Sequence, residues 1–226
     1  MDQTIRLFHM MREWSAECWL VVLAAAAIAY LCGCFNGAVI VSKYFLRDDV
    51  RNHGSGNAGL TNFHRTFGSG LAAAVILCDA LKAVAALLIG ATLFRSFISD
   101  SAQIVLLGKY WAALWCLLGH MFPAMFEFKG GKGILSGGTI ALMLDWRIAL
   151  VVWGGFLLLV LLTRYVSLGS VWAGGSFPFA TLVCYPDPVI VVLGFLCGGL
   201  VVWQHRANLK RLIAGTENKL TFHRKT

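Results

Sequence analysis

Four polar segments interrupt an otherwise apolar chain, and their residue types and spacing suit the binding of a small anion. The first runs Asp49-Val50-Arg51-Asn52-His53-Gly54-Ser55-Gly56-Asn57-Ala58-Gly59-Leu60-Thr61-Asn62-Phe63-His64-Arg65. Gly54, Gly56 and Gly59 let the backbone turn sharply and approach a ligand closely, and consecutive N–H groups in such a turn form an anion nest. Ser55, Asn57, Thr61 and Asn62 add side-chain donors, and Arg51 and Arg65 add charge. The plainer reading is an interfacial turn whose arginines meet lipid phosphates. The density of polar residues favours a binding site.

The second segment is Gly119-His120-Met121-Phe122-Pro123, followed by Phe126-Glu127-Phe128-Lys129-Gly130-Gly131-Lys132-Gly133. Three glycines surround Lys132, and an apolar helix is predicted to follow. Backbone N–H groups, a helix N-terminus and one lysine point charge make a phosphate site. The G-x-x-x-x-G-K-[ST] spacing of a nucleotide P-loop is absent, so no Mg²⁺ site is implied. A flexible positive turn that only sets topology is the competing reading.

The third segment, Arg164-Tyr165-Val166-Ser167-Leu168-Gly169-Ser170, says little alone. Ser167 or Ser170 suits a cap on the next helix. The fourth is His205-Arg206-Ala207-Asn208-Leu209-Lys210-Arg211-Leu212, then Gly215-Thr216-Glu217. On a continuing helix, His205 and Asn208 share a face. His205 there is a phosphate donor, a proton carrier or a structural residue. Asp79 and Lys82 lie three apart and are spaced to pair, either tying helices together or serving function.

The elements that must position these residues follow from composition. Apolar residues make up 58% of the 226 and charged residues 13%, well below the roughly 25% charged of soluble domains. Mean hydropathy is +0.73. A soluble globular domain and a disordered chain are both excluded. The seven cysteines are odd in number, lie nearly all in apolar runs and form no CxxC. They read as small buried hydrophobes rather than a disulfide framework.

An all-α polytopic membrane protein remains, forming a single integral-membrane domain over residues 1–226. Seven short spans are predicted: 18–45, 70–94, 102–125, 135–144, 148–163, 168–183 and 189–204. The Asp145-Trp146-Arg147 triplet divides the fourth from the fifth as a hairpin, because one continuous helix would hold charges at mid-bilayer at ~2.5–3.5 kcal/mol each. Tyr185-Pro186-Asp187-Pro188 reads as a turn. Arg6 and Arg12 before an apolar run, with Leu31-Cys32-Gly33-Cys34, loosely resemble a lipoprotein signal. The run continues to Phe45, which argues against cleavage. Thirteen of the nineteen Lys and Arg fall on the face that carries all four polar segments, five on the other, and Lys82 within a span. The positive-inside rule makes the richer face cytoplasmic, with the N-terminus outside and the C-terminus cytoplasmic. Arg6 and Arg12, on the outer side, oppose this weakly. The net charge of +8 reads as attraction to anionic lipid or substrate, not nucleic acid.

Convergence of the four segments on one face implies a pocket for a small phosphorylated ligand, with apolar spans around it. The sequence closely resembles the bacterial acyl-phosphate:glycerol-3-phosphate acyltransferases, the PlsY family. Three strings carry the match: Gly54-Ser55-Gly56-Asn57-x-Gly59-x-Thr61-Asn62-x-x-Arg65; Gly119-His120-x-x-Pro123 with Phe128-Lys129-Gly130-Gly131-Lys132-Gly133; and His205-x-x-Asn208-x-x-Arg211-Leu212-x-x-Gly215-x-Glu217. Their order and separation also fit, over about residues 30 to 220.

The resemblance implies seven membrane helices in the bacterial inner membrane and an active site facing the cytoplasm. It implies acyl transfer from acyl phosphate to the 1-hydroxyl of glycerol 3-phosphate, giving a lysophosphatidate and phosphate. Carried over by position, Ser55, Arg65, His205 and Asn208 are the expected catalytic residues. Arg51, Gly54, Gly56, Asn57, Thr61, Asn62, Lys129, Gly130, Gly131, Lys132 and Gly133 are the expected phosphate binders. Glu217 is expected to be structural, and His120, Ser167 and Ser170 are further candidates. Cys34 and Asn36 replace the family's usual serine and proline, and Leu60 its usual alanine. The expected partners are the two substrates and membrane lipid, with no cofactor, metal or nucleic acid, and a functional monomer. An acyl phosphate already carries a good leaving group, so positioning and charge stabilisation suffice. No His-x-x-x-x-Asp, the motif of acyl-CoA-dependent relatives by function, occurs. An anion transporter and a non-catalytic membrane anchor are the competing classes.

Overall fold

The structure, a computed structural model, describes residues 11–220. Arg6, Arg224 and Lys225 of the charge count lie outside the described residues. The described residues are helical without strands: α1 (Ala16–Cys34), α2 (Gly37–Ile40), α3 (Leu60–Phe67), α4 (Ala72–Phe97), α5 (Ala102–Met121), α6 (Ile134–Leu144), α7 (Trp146–Thr163), α8 (Val166–Cys184), α9 (Pro188–Gln204) and α10 (Arg206–Ile213). Local chemistry sets several starts. Ser15 accepts from the Cys18 N–H ahead of α1. Asp187 accepts from Val189 and Ile190 N–H with Pro188 at the first position of α9, the residue whose missing N–H costs nothing there.

Helix α5 is the centre of the bundle. It packs on α1, α4, α6 and α9 and buries Ile104, Leu107, Tyr110, Ala113, Leu117 and Met121. Helix α7 lies outside: it buries Ile148, Ala149 and Val152, while Leu150, Leu157, Leu158, Leu161 and Leu162 face outward. Lipid tails are as apolar as leucine, so such a surface carries no penalty in a bilayer.

One end of the bundle holds Trp14 against Phe94, Gln103 Nε2 donating to Asp187 at 2.8 Å, and Tyr185 O–H donating to Asp145 at 2.7 Å. The opposite end carries the four polar segments. Helices α6 and α7 form the expected hairpin at Asp145, whose carboxylate caps α7 through the Arg147 N–H at 2.8 Å.

Five helices (α1, α4, α5, α7, α8) are long and apolar enough to cross a membrane, and six when α9 and α10, bent by 56°, are taken as one. The remaining expected span, α6, has 11 residues. It is thus about 16 Å long, roughly half the ~30 Å hydrocarbon core.

The expected first span over 18–45 is not one helix. It breaks at Phe35-Asn36 and resumes as α2 and a π-helical turn, Val41–Phe45. The break is possible because protein groups satisfy the freed backbone. Gly37 N–H donates to Asp79 Oδ1 at 3.1 Å, and the Phe35 carbonyl accepts from Lys82 Nζ at 2.9 Å. Asn36 Oδ1 accepts from Val39 N–H at 3.1 Å, while its Nδ2 donates to the Ala58 carbonyl at 3.0 Å. The buried Asp79–Lys82 pair, 2.7 Å apart, therefore ties α4 to the broken α1–α2 junction.

Candidate active site

At the polar end of the bundle a cavity of about 540 Å³ is lined by residues of all four segments. This lies within the ~300–1,000 Å³ usual for small-ligand sites.

In the first segment the loop between the π-helical turn and α3 folds around one side chain. Asn62, on α3 and 4% exposed, donates through Nδ2 to the Val50 and His53 carbonyls, each at 3.0 Å, and accepts from the Ser55 N–H at 3.0 Å. Both N–H groups and the oxygen of its amide are thereby engaged, so Asn62 shapes the loop although it lines the cavity. Gly54 adopts φ +55°, and a Cβ there would overlap Asn62 Oδ1. With its N–H held, Ser55 lines the cavity beside Asn57, Thr61 and Arg65.

Gly56 turns at φ +69° and does not line the cavity. Nor does Arg51. Its Nε and NH2 donate to Asp49 at 2.8–3.2 Å and its NH1 to the Phe126 carbonyl at 2.7 Å. Those bonds hold the Asp49 carboxyl below its usual range. Arg51 is a strut between two loops, not a free anion ligand.

The second segment splits in the same way. Gly130 and Gly131 N–H donate to the Met121 and His120 carbonyls, each at 3.1 Å. These N–H groups are therefore committed to the end of α5. At Gly131 a Cβ would overlap the His120 imidazole and the Ala58 carbonyl, so this residue must be glycine for the loops to meet. Lys129 is exposed and pairs with Glu127 at 3.2 Å. Neither it nor Gly130 and Gly131 line the cavity, whereas Lys132, Gly133 and the first residues of α6 do. The α6 N-terminus therefore faces the cavity beside the lysine, as a phosphate site requires. Burial, with the Arg211 charge nearby, lowers the Lys132 pKa to about 8.

Ser167 and Ser170 line the cavity from α8 but do not cap it. The helix begins at Val166 with no side-chain cap, and Ser170 Oγ donates back to the Val166 carbonyl at 2.9 Å.

Between α9 and α10 the chain bends at His205, which is 4% exposed. Its Nδ1–H donates to the Val201 carbonyl at 2.8 Å. A carbonyl only accepts, so the neutral ring keeps a bare Nε2 as acceptor. Asn208 accepts from Lys132 Nζ and donates to Glu217 at 2.9 Å. Glu217 also accepts from Arg211 at 2.6 Å. Burial raises the Glu217 carboxyl, but the bonds from Asn208 and Arg211 outweigh it and its pKa ends lowered. The chain Arg211–Glu217–Asn208–Lys132 orients the Asn208 amide and fixes the lysine. Glu217 thus has the geometry of a supporting residue.

Several lining residues carried no assigned role in the sequence. Trp153 and Phe156 line the cavity from α7, and apolar residues in an apolar helix send no signal. Arg211 stands three residues after Asn208, a spacing that could have flagged it. Asp79 and Glu217 are the lining acids, and both are engaged by cations.

The family model for glycerol-3-phosphate acyltransferase matches residues 23–215. The glycerol-3-phosphate acyltransferase of Thermoanaerobacter pseudethanolicus is 36% identical over 201 residues, which is 89% of this chain and 96% of the relative. That of Clostridioides difficile is 39% identical over 195 residues, 86% of this chain and 93% of the relative. The crystal structure of PlsY, an integral membrane glycerol 3-phosphate acyltransferase, in its glycerol 3-phosphate form superposes with a TM-score of 0.78 at 31% identity, covering 88% of this chain and 96% of that one. Its lysophosphatidic acid form gives 0.75 at 30% identity, with 88% and 95% covered. Sequence and fold agree along almost the whole length, and the chain belongs to the PlsY family of integral membrane glycerol-3-phosphate acyltransferases.

Proposed function

We propose that this protein transfers a fatty acyl group from acyl phosphate to the 1-hydroxyl of sn-glycerol 3-phosphate, giving lysophosphatidate and inorganic phosphate at the start of phospholipid synthesis. One observation carries the reading: a single cavity joins Lys132, Arg65, Ser55, His205 and Asn208 at one end of an apolar bundle. Lys132 is half-buried and Arg65 exposed, which suits two phosphate groups at different depths. A narrow apolar cavity lined by Ile140, Val152 and Phe177 shares Gly133 and Ile134 with the polar one. It supports an acyl chain entering from the bundle. The glycerol 3-phosphate and lysophosphatidic acid forms of PlsY fit an acceptor and a product of this reaction.

In the proposed step the acceptor's 1-hydroxyl oxygen bonds to the acyl carbon and the acyl carbon–phosphate oxygen bond breaks. The hydroxyl proton leaves with the phosphate. Lys132, Asn208 and the α6 N-terminus hold the acceptor phosphate. Arg65 holds the donor phosphate, and Ser55 donates a hydrogen bond. His205 Nε2 accepts from a substrate hydroxyl and aligns it. Asp79 and Glu217 are engaged in ion pairs, which accords with catalysis by positioning and preorganised charge rather than by a carboxylate base. Positioning alone supplies up to ~7–11 kcal/mol. In this reading the cavity faces the cytoplasm, α6 is the short seventh crossing of the inner membrane, a monomer suffices, and no cofactor takes part. An anion transporter would hold its site near mid-membrane on broken repeats, and here the cations gather at one end.

Purified protein given acyl phosphate and glycerol 3-phosphate tests this. The expected products are 1-acyl lysophosphatidate and phosphate in equal amounts, read by mass spectrometry and phosphate assay. Phosphate release without the lysolipid, or no product from folded protein, contradicts it.

A further inference from the structure

The buried triad Asp79–Lys82–His120 has a use beyond bracing the broken first span. Asp79, Lys82 and His120 are 1%, 6% and 3% exposed, so water does not compete for their bonds. The Lys82 ammonium has three N–H groups and no lone pair. It finds three acceptors: Asp79 Oδ1 at 2.7 Å, the Phe35 carbonyl at 2.9 Å and His120 Nδ1 at 2.7 Å. A donor at 2.7 Å requires Nδ1 to be the bare, accepting nitrogen. The ring proton of neutral His120 is therefore on Nε2. That nitrogen has no hydrogen-bond partner among the described residues, and His120 and Asp79 both line the polar cavity. Gly131 packs closely against this edge of the ring, where a Cβ would overlap Nε2.

We propose that His120 touches substrate, presenting Nε2–H to an oxygen that gains negative charge during acyl transfer. Lys82, anchored by Asp79, is the positioning residue that holds this tautomer against the Asp79 carboxylate 3.6 Å from Nδ1. The inference rests on the acyl-transfer reading of the same cavity. It gives the two cavity histidines opposite parts, since His205 is held with a bare Nε2 and His120 with a protonated one. A preorganised neutral donor of this kind stabilises developing charge without adding a cation to a site already lined by three, Arg65, Lys132 and Arg211.

Asparagine places an acceptor near the His120 Nδ1 position and has nothing at Nε2, while glutamine places an N–H near Nε2. In detergent-purified protein, His120→Asn is expected to keep its melting transition and lower kcat about 10²–10³-fold, with KM changed little. His120→Gln is expected to recover at least tenfold of that loss. Independently of activity, ¹⁵N NMR of histidine-labelled wild-type protein should show His120 protonated at Nε2 and bare at Nδ1, and Lys82→Met should abolish that preference. A folded His120→Asn with wild-type kcat overturns the proposal. So does a His120 protonated at Nδ1 in the wild type. Failure of the wild-type protein to acylate glycerol 3-phosphate instead removes the underlying reading, while the NMR arm still reports the tautomer.

Discussion

At the scale of single residues, polar side chains divide into those that face the cavity and those that are engaged elsewhere. Lys132 faces the cavity with its charge only partly solvated. A charged hydrogen bond lost from such a place costs ~1.5–3 kcal/mol, or about ten- to a hundredfold. Lys132→Ala is accordingly expected to raise KM for glycerol 3-phosphate by that factor, while Lys129→Ala leaves it within twofold. The lowered Lys132 pKa of about 8 gives a pH test. The lysine is charged below about 8 and neutral above, and a phosphate monoester loses its second proton near ~6. Thus kcat/KM for glycerol 3-phosphate should be greatest between these values and fall as pH rises through about 8. Lys132→Arg, which stays charged, should remove the upper limb. Ser55, Arg65, Lys132 and Asn208 were legible from residue type and spacing. That Asn62, Gly130 and Gly131 have their hydrogen bonds engaged was not, because their partners Val50, Met121 and His120 are set by tertiary contact.

At the scale of elements, three helix ends and two loops meet because small residues and buried amides let them. Gly131→Ala would press a methyl into the His120 ring and the Ala58 carbonyl. Overpacking of this kind costs ~1–3 kcal/mol, so both melting temperature and kcat should fall. Asn36 bonds both α2 and the first polar loop, at Val39 and Ala58. Asn36→Ala should destabilise the protein by about 1–2 kcal/mol and weaken activity without touching substrate, a change seen in denaturant midpoint and kcat together. The helices themselves were legible as apolar runs, and the Asp145 hairpin from the cost of charge in lipid. The break at Phe35-Asn36 was hidden. It lies inside a continuous apolar run, and the groups that allow it, Asp79 and Lys82, are over forty residues away. The serines of α8 were misjudged as caps because the helix begins at Val166, inside the segment thought to precede it.

At the scale of the whole molecule, an apolar bundle carries its cavity-lining cations, Arg65, Lys132 and Arg211, at one end. The hydrophobic composition and the asymmetry of Lys and Arg were enough to read this from sequence. The pairing of helices around α5 was not, since periodicity fades when most faces of a helix are apolar. In the proposed orientation a protease added to intact spheroplasts should trim an N-terminal tag and spare a C-terminal one. The reverse pattern would invert the topology. The most direct test of the account is the initial rate of lysophosphatidate formation by purified protein, with acyl phosphate and acyl-CoA compared as donors for glycerol 3-phosphate, on wild type and Arg65→Ala. The account expects product from acyl phosphate only, and a loss of at least a hundredfold in the variant. Equal rates from acyl-CoA, or an Arg65→Ala protein as fast as wild type, would contradict it.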